Sequence, residues 1–459
     1  MIDSTVMGKI FFRSTNRRAP LVSFQEALLA GQAPDYGLYV PVEIPQFTRE
    51  ELASFLQLSY PEIATVVLEK FIQEIERDVL KSIAAKVYNF EIPLEKVEEG
   101  FYLMRLDRGP TASFKDFAAR MMARLMEYFA RKEKRQLTVL VATSGDTGGA
   151  VASAFLGLEG IRVVILFPEG EVTRRQRLQM TTPGNNITAV AVKGKFDDCQ
   201  ALVKQAFNDR SLSWLNLTSA NSINFGRLLP QAVYYCYAWS RLAGDGIVFS
   251  VPCGNFGNLC GGVLARLMGL PVRKFIVAVN ENDEFPRFLQ SGQYQPVIPS
   301  RQCSSNAMNV GHPSNLARLV DWYGGWLTDE RDENGRIIQR GYLKVSPDME
   351  RMRQDFISFS ISEEEVDQTI VSIYEKYGLL LEPHGAVAFR AAWKADVAGP
   401  VVVLETAHPA KFPEKIKDLL GVEPVLPESL ADLEWRKEEY ETITGDYQSL
   451  VEFLTRRLL

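Results

Sequence analysis

Six short apolar runs rich in valine and isoleucine recur between residues 138 and 406, with longer segments between them. They are Thr138–Thr143, Val163–Pro168, Ile187–Val192, Ile247–Pro252, Phe275–Asn280 and Val401–Thr406. Runs of this length fit strands of a parallel sheet that is covered on both faces, and such strands need crossover helices between them. Two intervening segments, Gln200–Phe207 and Leu259–Met268, have helical periodicity. The sequence therefore predicts an α/β fold in which parallel sheets are flanked by helices.

The segments outside this repeating pattern have a different character. Residues up to about Leu94 show helical periodicity, for example in Thr65–Leu80, and the last forty or so residues return to charged helical patterns. The polar segment Asp329–Arg340 contains Asn334-Gly335, a pair typical of tight turns. We therefore expect an N-terminal helical extension, a C-terminal helical extension and one loop or hairpin insertion.

Composition narrows the classes of function. The 459 residues include 51 basic and 57 acidic side chains, well mixed, for a net charge of −6. This balance argues against a nucleic-acid or anionic-membrane surface as the main binding site. Five cysteines without a C-x-x-C pair and three histidines make a metal site improbable. The first residues lack the apolar core of a signal peptide, and no apolar run has membrane-spanning length, so we expect a cytoplasmic protein.

Three unusual motifs follow predicted strands. They are Thr143–Gly148, Gly254–Asn258 and Thr406–Pro409. Ligands of α/β sheets gather at the carboxyl ends of the strands. We therefore expect the three motifs to meet at one site.

Two of these motifs are suited to binding anions. Gly254–Asn258 joins a strand to a helix, and its glycines let backbone N–H groups approach a phosphate. No lysine follows at P-loop spacing, so a cofactor phosphate fits better than ATP. Ser144–Gly149 has the same context and adds hydroxyl groups. Each motif alone is equally compatible with an ordinary glycine-rich turn or a capped helix start.

Two further segments carry candidate functional groups. Lys115 lies between Phe114 and Phe117 ahead of an amphipathic helix, and partial burial there would lower its pKa and suit imine chemistry. The segment Asn221–Asn224 with Arg227 offers amides, a hydroxyl and a guanidinium suited to phosphate. Taken singly, a lysine is far more often a solvent-exposed charge than a catalytic group. An exposed position for Arg227 is likewise slightly favoured over a binding role. The histidines His384 and His408 fit structural roles better than metal binding.

In sequence order, these segments resemble the threonine synthases, specifically the longer subclass with an N-terminal extension. The resemblance covers nearly the whole chain, and its segments are Val22–Phe24, Gly37–Pro41, Gly109–Phe117, Ala142–Gly148, Ser219–Asn224, Val251–Asn258, Asn280–Pro286, Glu382–His384 and Thr406–Phe412. Three positions depart from the family's pattern: Tyr36, Cys253 and Asn309. None of the three removes a group that the chemistry needs, but they leave substrate preference open.

The resemblance implies the pyridoxal-phosphate fold of the tryptophan-synthase β type. It places an N-terminal extension at residues 1–95 and a large cofactor-binding domain at 96–116 and 211–420. A small mobile domain would occupy 117–210, and a C-terminal helical extension 421–459. Closure of the small domain would exclude water from the site.

The resemblance also implies roles for individual residues. Lys115 would be the Schiff-base lysine and the acid–base group, and Thr406 would hydrogen-bond the pyridine nitrogen. The cofactor phosphate would be cupped by Gly254, Asn255, Phe256, Gly257 and Asn258. Substrate carboxylate and phosphate would be held by Ser144, Gly145, Asp146, Thr147, Asn221, Ser222, Asn224 and Arg227.

The implied reaction converts O-phospho-L-homoserine and water to L-threonine and phosphate, by γ-elimination and then addition of water at the β carbon. A related phospho-lyase that releases 2-oxobutyrate would share every cofactor residue. A non-catalytic metabolite-binding protein of the same fold would not need Lys115, and a visible absorption band would exclude it. We expect a small-molecule substrate, no nucleic-acid or membrane partner, no metal, and a monomer or small homo-oligomer.

Overall fold

The computed structural model describes residues 9–242, 246–332 and 336–459. Its strands are β1 (Phe12–Ser14), β2 (Tyr39–Pro41), β3 (Leu94–Glu98), β4 (Phe101–Arg105), β5 (Leu137–Ala142), β6 (Ile161–Pro168), β7 (Ile187–Lys193), β8 (Leu217–Thr218), β9 (Ile247–Pro252), β10 (Val272–Val279), β11 (Trp326–Arg331), β12 (Ile337–Val345), β13 (Phe356–Ser360), β14 (Val401–Glu405) and β15 (Tyr440–Thr444). All six strands predicted from apolar runs are present, differing only at their ends.

The α-helices cover the sheets and build most of the N-terminal extension. They are α1 (Phe24–Ala30), α2 (Arg49–Phe55), α3 (Tyr60–Glu69), α4 (Arg77–Val87), α5 (Lys115–Glu133), α6 (Asp146–Phe155), α7 (Arg174–Thr181), α8 (Phe196–Asn208), α9 (Phe225–Leu228), α10 (Gln231–Leu242), α11 (Gly257–Leu267), α12 (Glu284–Ser291), α13 (Leu316–Trp322), α14 (Met349–Asp355), α15 (Glu363–Tyr377), α16 (Pro383–Ala395), α17 (Pro413–Leu420), α18 (Glu428–Ala431) and α19 (Tyr447–Leu458).

Two sheets carry the candidate site. The larger has the order β13-β10-β9-β14-β4-β3, and only β3 is antiparallel to its neighbour. The smaller has the order β15-β7-β6-β5-β8 and is entirely parallel. The predicted α/β class, with parallel sheets flanked by helices, is confirmed. Since β9 and β14 are parallel neighbours, the motifs that follow them emerge at the same sheet edge.

The C-terminal segment departs from the prediction of a purely helical extension. Tyr440–Thr444 forms β15, which pairs with β7 at the edge of the smaller sheet. Its residues alternate between exposed and partly buried, as on an edge strand with one face toward water. Four of its five residues are aromatic or β-branched and favour a strand, but the run is short and lies between charged helical segments. The helix α19 that follows packs against β15 and α8.

The start of α5, where Lys115 lies, is anchored by aromatic packing. The ring of Phe117 contacts Tyr60, Phe90 and Tyr234, with centroid distances of 5.5, 5.1 and 5.6 Å. The hydroxyl of Tyr88 donates to the Phe117 carbonyl at 3.1 Å. The N-terminal extension therefore helps to fix the position of the candidate catalytic lysine.

Two other predictions concern local features. The insertion is a hairpin, because β11 and β12 pair antiparallel, but its expected turn Asn334-Gly335 lies outside the described residues, as does the first part of the N-terminus (1–8). In the described ranges, no helix has both the length and the apolar character needed to cross a membrane.

Candidate active site

One cavity brings the three strand-end motifs together. All but two of the predicted site residues line it: Lys115, Ser144, Asp146, Thr147, Asn221, Ser222, Arg227, Gly254, Asn255, Phe256, Gly257, Asn258 and Thr406. The exceptions are Gly145 and Asn224. The lining also includes Phe196, Gln231, His384 and the segment 307–310, which sequence reasoning did not assign to the site.

Backbone hydrogen bonds place Lys115 beside the end of β14. The Phe114 N–H donates to the Thr406 carbonyl at 2.9 Å, and the His408 N–H donates to the Ala112 carbonyl at 3.0 Å. These bonds join the loop before Lys115 to the segment that carries Thr406. Two predicted site residues far apart in sequence are thereby held next to each other.

The amine of Lys115 is largely withdrawn from solvent. Its side chain is 14% exposed, and Nζ lies 4.9 Å from the Phe114 ring centroid. Burial lowers the pKa of Lys115 from its ordinary value, and the nearby Lys411 and Arg227 lower it further, although Asp146 opposes them. This environment favours the neutral amine, which is the nucleophilic form.

The cofactor-phosphate segment is built at the start of α11. Phe256 has a φ of +62°, a left-handed conformation that turns the chain into the helix. The first N–H groups of a helix lack intrahelical acceptors and favour an anion. Two hydrogen bonds fix the position of Asn255. Its Oδ1 accepts from the Ser314 N–H at 2.7 Å, and its carbonyl accepts from Asn315 Nδ2 at 3.0 Å.

Two buried donors test whether this cavity fits a phosphate-bearing cofactor. Asn258 Oδ1 accepts from the hydroxyls of Tyr234 and Tyr235 at 2.6 and 2.7 Å, which orients its amide. Within the described residues, neither Asn258 Nδ2 nor Arg227 Nε has a hydrogen-bond partner. An unsatisfied buried donor costs about 1–3 kcal/mol, so two of them on residues lining one cavity fit a site that binds an acceptor-rich anion.

Gly254 has a packing role as well as a place in the cradle. A Cβ at this position would lie 2.4 Å from the Ala307 carbonyl oxygen and 3.0 Å from Met308 Cα. The close approach brings the segment 307–310 against the cradle. No signal in the sequence links these two segments.

Arg227 brings a positive charge to the lining of the cavity. It is buried, and its NH1 donates to the Ala220 carbonyl at 2.7 Å. Burial lowers its pKa to about 10, which still leaves the guanidinium protonated at neutral pH. A charged group with a free N–H at this place is suited to phosphate.

The polar residues preceding Arg227 divide into two groups. Ser222 and Asn221 line the cavity, but the Asn221 amide is also bonded to both backbone groups of Ala142, at 2.7 and 3.3 Å. Asn224 is fully buried outside the cavity, where it caps α9 and donates to the carbonyls of Leu28 and Ser219 at 2.8 and 2.9 Å. The structure therefore gives Asn224 a folding role and places it outside the cavity lining, where the sequence had predicted a substrate contact.

Asp146 was expected to bind substrate, but its carboxylate is already bonded to other side chains of the protein. Its Oδ1 accepts from Lys411 Nζ at 2.6 Å and from Gln176 Nε2 at 3.0 Å, and its Oδ2 lies 3.8 Å from Lys115 Nζ. Lys411 and Lys115 hold the pKa of Asp146 well below its usual range against the raising effect of burial. An ionised carboxylate repels an anionic substrate, so the contacts of Asp146 fit ion pairing with Lys411 and Lys115 better than substrate binding. Gly145, the other exception, precedes Asp146 without lining the cavity.

A buried carboxyl pair lies behind Thr406. The Thr406 hydroxyl is 3.5 Å from Glu382 Oε1, a distance at the outer limit for a hydrogen bond, and the Glu382 N–H donates to Glu405 Oε1 at 3.1 Å. Burial raises the pKa of Glu405 well above its usual range, and the Glu382 charge raises it further. The pair therefore favours the protonated form of Glu405.

The histidines near the site have structural partners. His384 Nδ1 bonds the Glu382 carboxylate, and its Nε2 accepts from the Ala307 N–H at 3.1 Å, which defines the tautomer. Burial lowers the pKa of His408 to about 4, and its Nδ1 accepts from the Ala410 N–H at 3.1 Å. Across the described ranges, no group of histidine, cysteine and acidic side chains could hold a metal ion.

A buried lysine at the start of α5, an anion cradle at the start of α11 and a hydroxyl at the end of β14 are together the features of a pyridoxal-phosphate-dependent enzyme. A family model described as pyridoxal-phosphate dependent enzyme matches residues 89–334. Models described as threonine synthase N terminus and threonine synthase, C-terminal match residues 11–88 and 385–454.

Individual relatives agree along the whole chain. The threonine synthase of Methylobacillus glycogenes is 36% identical over 97% of this chain and 99% of its own length. That of Escherichia coli is 39% identical over 90% and 91%. The solved structure of a threonine synthase with bound pyridoxal phosphate from Brucella melitensis is 37% identical and has a TM-score of 0.88, covering 97% and 99% of the two chains. The yeast threonine synthase structure is 32% identical, with a TM-score of 0.86 and 98% coverage of each chain.

The chain belongs to the threonine synthase family. Its cofactor is pyridoxal phosphate and its function is that of a threonine synthase, a pyridoxal-phosphate-dependent lyase. The resemblance found in the sequence is confirmed.

Proposed function

We propose that this chain converts O-phospho-L-homoserine and water to L-threonine and phosphate, with Lys115 binding the cofactor and moving protons. The observation that supports this most directly is the position of Lys115 in a cavity that two sets of anion-binding groups line. One set is the Gly254–Asn258 cradle, and the other is the guanidinium of Arg227. A substrate that carries its own phosphate needs a second anion site beside that of the cofactor.

Pyridoxal phosphate supplies an electron sink that lets protons leave carbon atoms attached to it. The N–H groups at the start of α11 and the Asn258 amide would hold its phosphate. Thr406 would face the pyridine nitrogen, since its long contact with Glu382 leaves the hydroxyl free to turn. A neutral hydroxyl there does not favour protonation of the ring nitrogen.

Lys115 Nζ would take protons from the substrate carbons and return them. Burial lowers the pKa of Lys115, which raises the neutral fraction of its amine and suits it to act as a base and then as an acid. In the elimination, the bond between the γ carbon and the phosphate oxygen breaks, and phosphate leaves with the electron pair. The γ carbon then gains a proton and becomes the methyl group, water adds its hydroxyl to the β carbon, and the α carbon regains its proton, which gives threonine. The remaining proton of the water balances the released phosphate.

Arg227 would bind the substrate phosphate, and Ser144 and Thr147 would add hydroxyl groups from the loop before α6 and its first turn. Ser222 and the backbone near Asn221 complete the polar wall. The retained phosphate and a cavity closed to bulk water favour addition of water to the β carbon over release of an unsaturated product.

The competing function is that of the phospho-lyase that releases 2-oxobutyrate. One reaction with O-phospho-L-homoserine, assayed for both products, distinguishes the two. We expect threonine as the main product and 2-oxobutyrate as a minor one. Dominant 2-oxobutyrate without threonine would place the chain with the lyases, and phosphate release alone would not discriminate.

We also propose that the region 117–210 moves as a small domain, with boundaries adjusted to the smaller sheet. That sheet carries the Ser144–Thr147 loop and includes β8 and the C-terminal β15, so residues 217–218 and 440–444 would move with it. We also propose a cytoplasmic enzyme that acts as a monomer or small homo-oligomer. The near balance of 51 basic and 57 acidic residues supports the absence of a nucleic-acid partner.

A further inference from the structure

Lys411 is a fully buried lysine that the proposed reaction does not yet use. It ends the turn 409–411 after β14, and none of its side chain is exposed. Its Nζ lies 2.6 Å from Asp146 Oδ1 and donates to the Thr111 carbonyl at 3.0 Å. A lysine is almost never fully buried without a specific partner, because removing the charge from water is costly.

The carboxylate of Asp146 is divided unequally between two lysines. Oδ1 is engaged by Lys411 and by Gln176, whereas Oδ2 lies 3.8 Å from Lys115 Nζ, well beyond hydrogen-bond distance. The Gln176 side chain is itself held, since its Oε1 accepts from Asn306 Nδ2 at 3.0 Å. The Asp146 carboxylate is therefore held in an orientation that pairs closely with Lys411 and only at long range with Lys115.

We propose that Lys411 is a positioning residue that holds Asp146 away from Lys115, so that the Lys115 amine stays available in its neutral form. Without Lys411, the Asp146 carboxylate would be free to pair closely with Lys115 and retain the proton on its amine. This inference rests on the proposed role of Lys115.

The charges that face Lys115 determine the sign of the effect. Burial lowers the pKa of Lys115, Lys411 and Arg227 lower it further, and Asp146 and Glu382 raise it. Removing Lys411 takes away a positive charge that lowers the pKa of Lys115. It also leaves the Asp146 carboxylate, which raises that pKa, without its lysine partner. Both changes act in the same direction, so covalent attachment of the cofactor, which needs the neutral amine, should require a higher pH.

The experiment measures attachment and not turnover. Apo-protein is incubated with pyridoxal phosphate between pH 6 and 10 and treated with borohydride, and the modified fraction of the peptide containing Lys115 is quantified by mass spectrometry. In Lys411→Met we expect the midpoint to move to higher pH, with the trapped fraction at pH 7 about threefold lower than in the native chain. Lys411→Arg, which keeps the cation, should restore most of the native profile.

Asp146→Asn tests the same pair from the other side, and is decisive if Lys411→Met does not fold. Loss of the carboxylate should move the midpoint to lower pH. Lys417→Met, a change at an exposed lysine of α17, is the matched control and should leave the profile unchanged. An unchanged midpoint in folded Lys411→Met, or a shift of both variants in the same direction, would overturn the proposal. Absence of trapping at Lys115 in the native chain would instead contradict the proposed function.

Discussion

The guanidinium of Arg318 donates to Asn315 Oδ1 at 2.6 Å, and the amide of Asn315 in turn donates to the Asn255 carbonyl and the Ser222 hydroxyl, each at 3.0 Å. Arg318 is fully buried and also bonds the carbonyls of Tyr39 and Ser222 at 3.0 and 2.9 Å. Arg318 thus ties the N-terminal strand β2 to Ser222 directly and to Asn255 through Asn315, and both of these residues line the cavity.

Substituting Arg318 should therefore affect stability and cofactor binding together. Arg318→Lys keeps the charge but loses the forked geometry, and we expect the free energy of unfolding to fall by about 2–4 kcal/mol. Pyridoxal-phosphate affinity should fall as well, because the support of Asn255 is lost. Urea unfolding of the apo-protein and a cofactor titration measure the two effects. The exposed Arg49→Lys is the control, and unchanged stability in Arg318→Lys would contradict the role assigned to this network.

Lys115→Ala tests the proposed catalytic group. We expect turnover to fall by about a thousandfold or more, because one side chain both attaches the cofactor and relays protons. Borohydride should no longer fix the cofactor to the peptide containing Phe114 and Asp116. Near-normal turnover in this variant would contradict the whole assignment.

Arg227→Ala tests the proposed substrate-phosphate site. Loss of a charge-assisted contact worth about 2–3 kcal/mol should weaken binding of O-phospho-L-homoserine about 30- to 150-fold. The absorption spectrum of the bound cofactor should change little, since the cradle at Gly254–Asn258 is intact. Substrate titration and cofactor titration of the same preparation separate the two sites. Loss of the cofactor instead would assign Arg227 to the cofactor site or to the fold.

The carboxyl pair behind Thr406 predicts a pH dependence of stability. Because burial and Glu382 raise the pKa of Glu405, the folded state binds a proton that the unfolded chain releases at a lower pH. Stability is therefore complete below the ordinary carboxyl pKa and falls as the pH rises toward the raised pKa, by up to about 1.4 kcal/mol per pH unit. Glu405→Gln should lose this slope.

Urea unfolding between pH 5 and 8 measures the difference. As the pH rises, the free energy of unfolding should fall in the native chain but stay nearly constant in Glu405→Gln, because the amide mimics the protonated acid. The exposed Glu375→Gln serves as control. Parallel curves for the native chain and Glu405→Gln would show that Glu405 is ionised in the fold.

The sequence by itself determined the fold class and most of the cavity. The apolar runs predicted the ends of β9 and β14 to within one residue, because strands buried on both faces are mostly apolar, and the polar motifs that follow them were expected at the ligand edge of the sheet. Lys115 and Arg227 could be proposed because they lie in segments whose order along the chain resembles that of the threonine synthases.

Only the tertiary structure decided which polar groups are available to a ligand. Asn224 and Asp146 are as polar in sequence as Ser144, yet their side chains are used by Leu28 and Lys411, which lie far away along the chain. The burial of Lys411 and the raised pKa of Glu405 both result from packing between residues of separate segments. Local patterns report periodicity and turn chemistry, whereas desolvation and pairing of charges depend on contacts that form only when the two sheets come together.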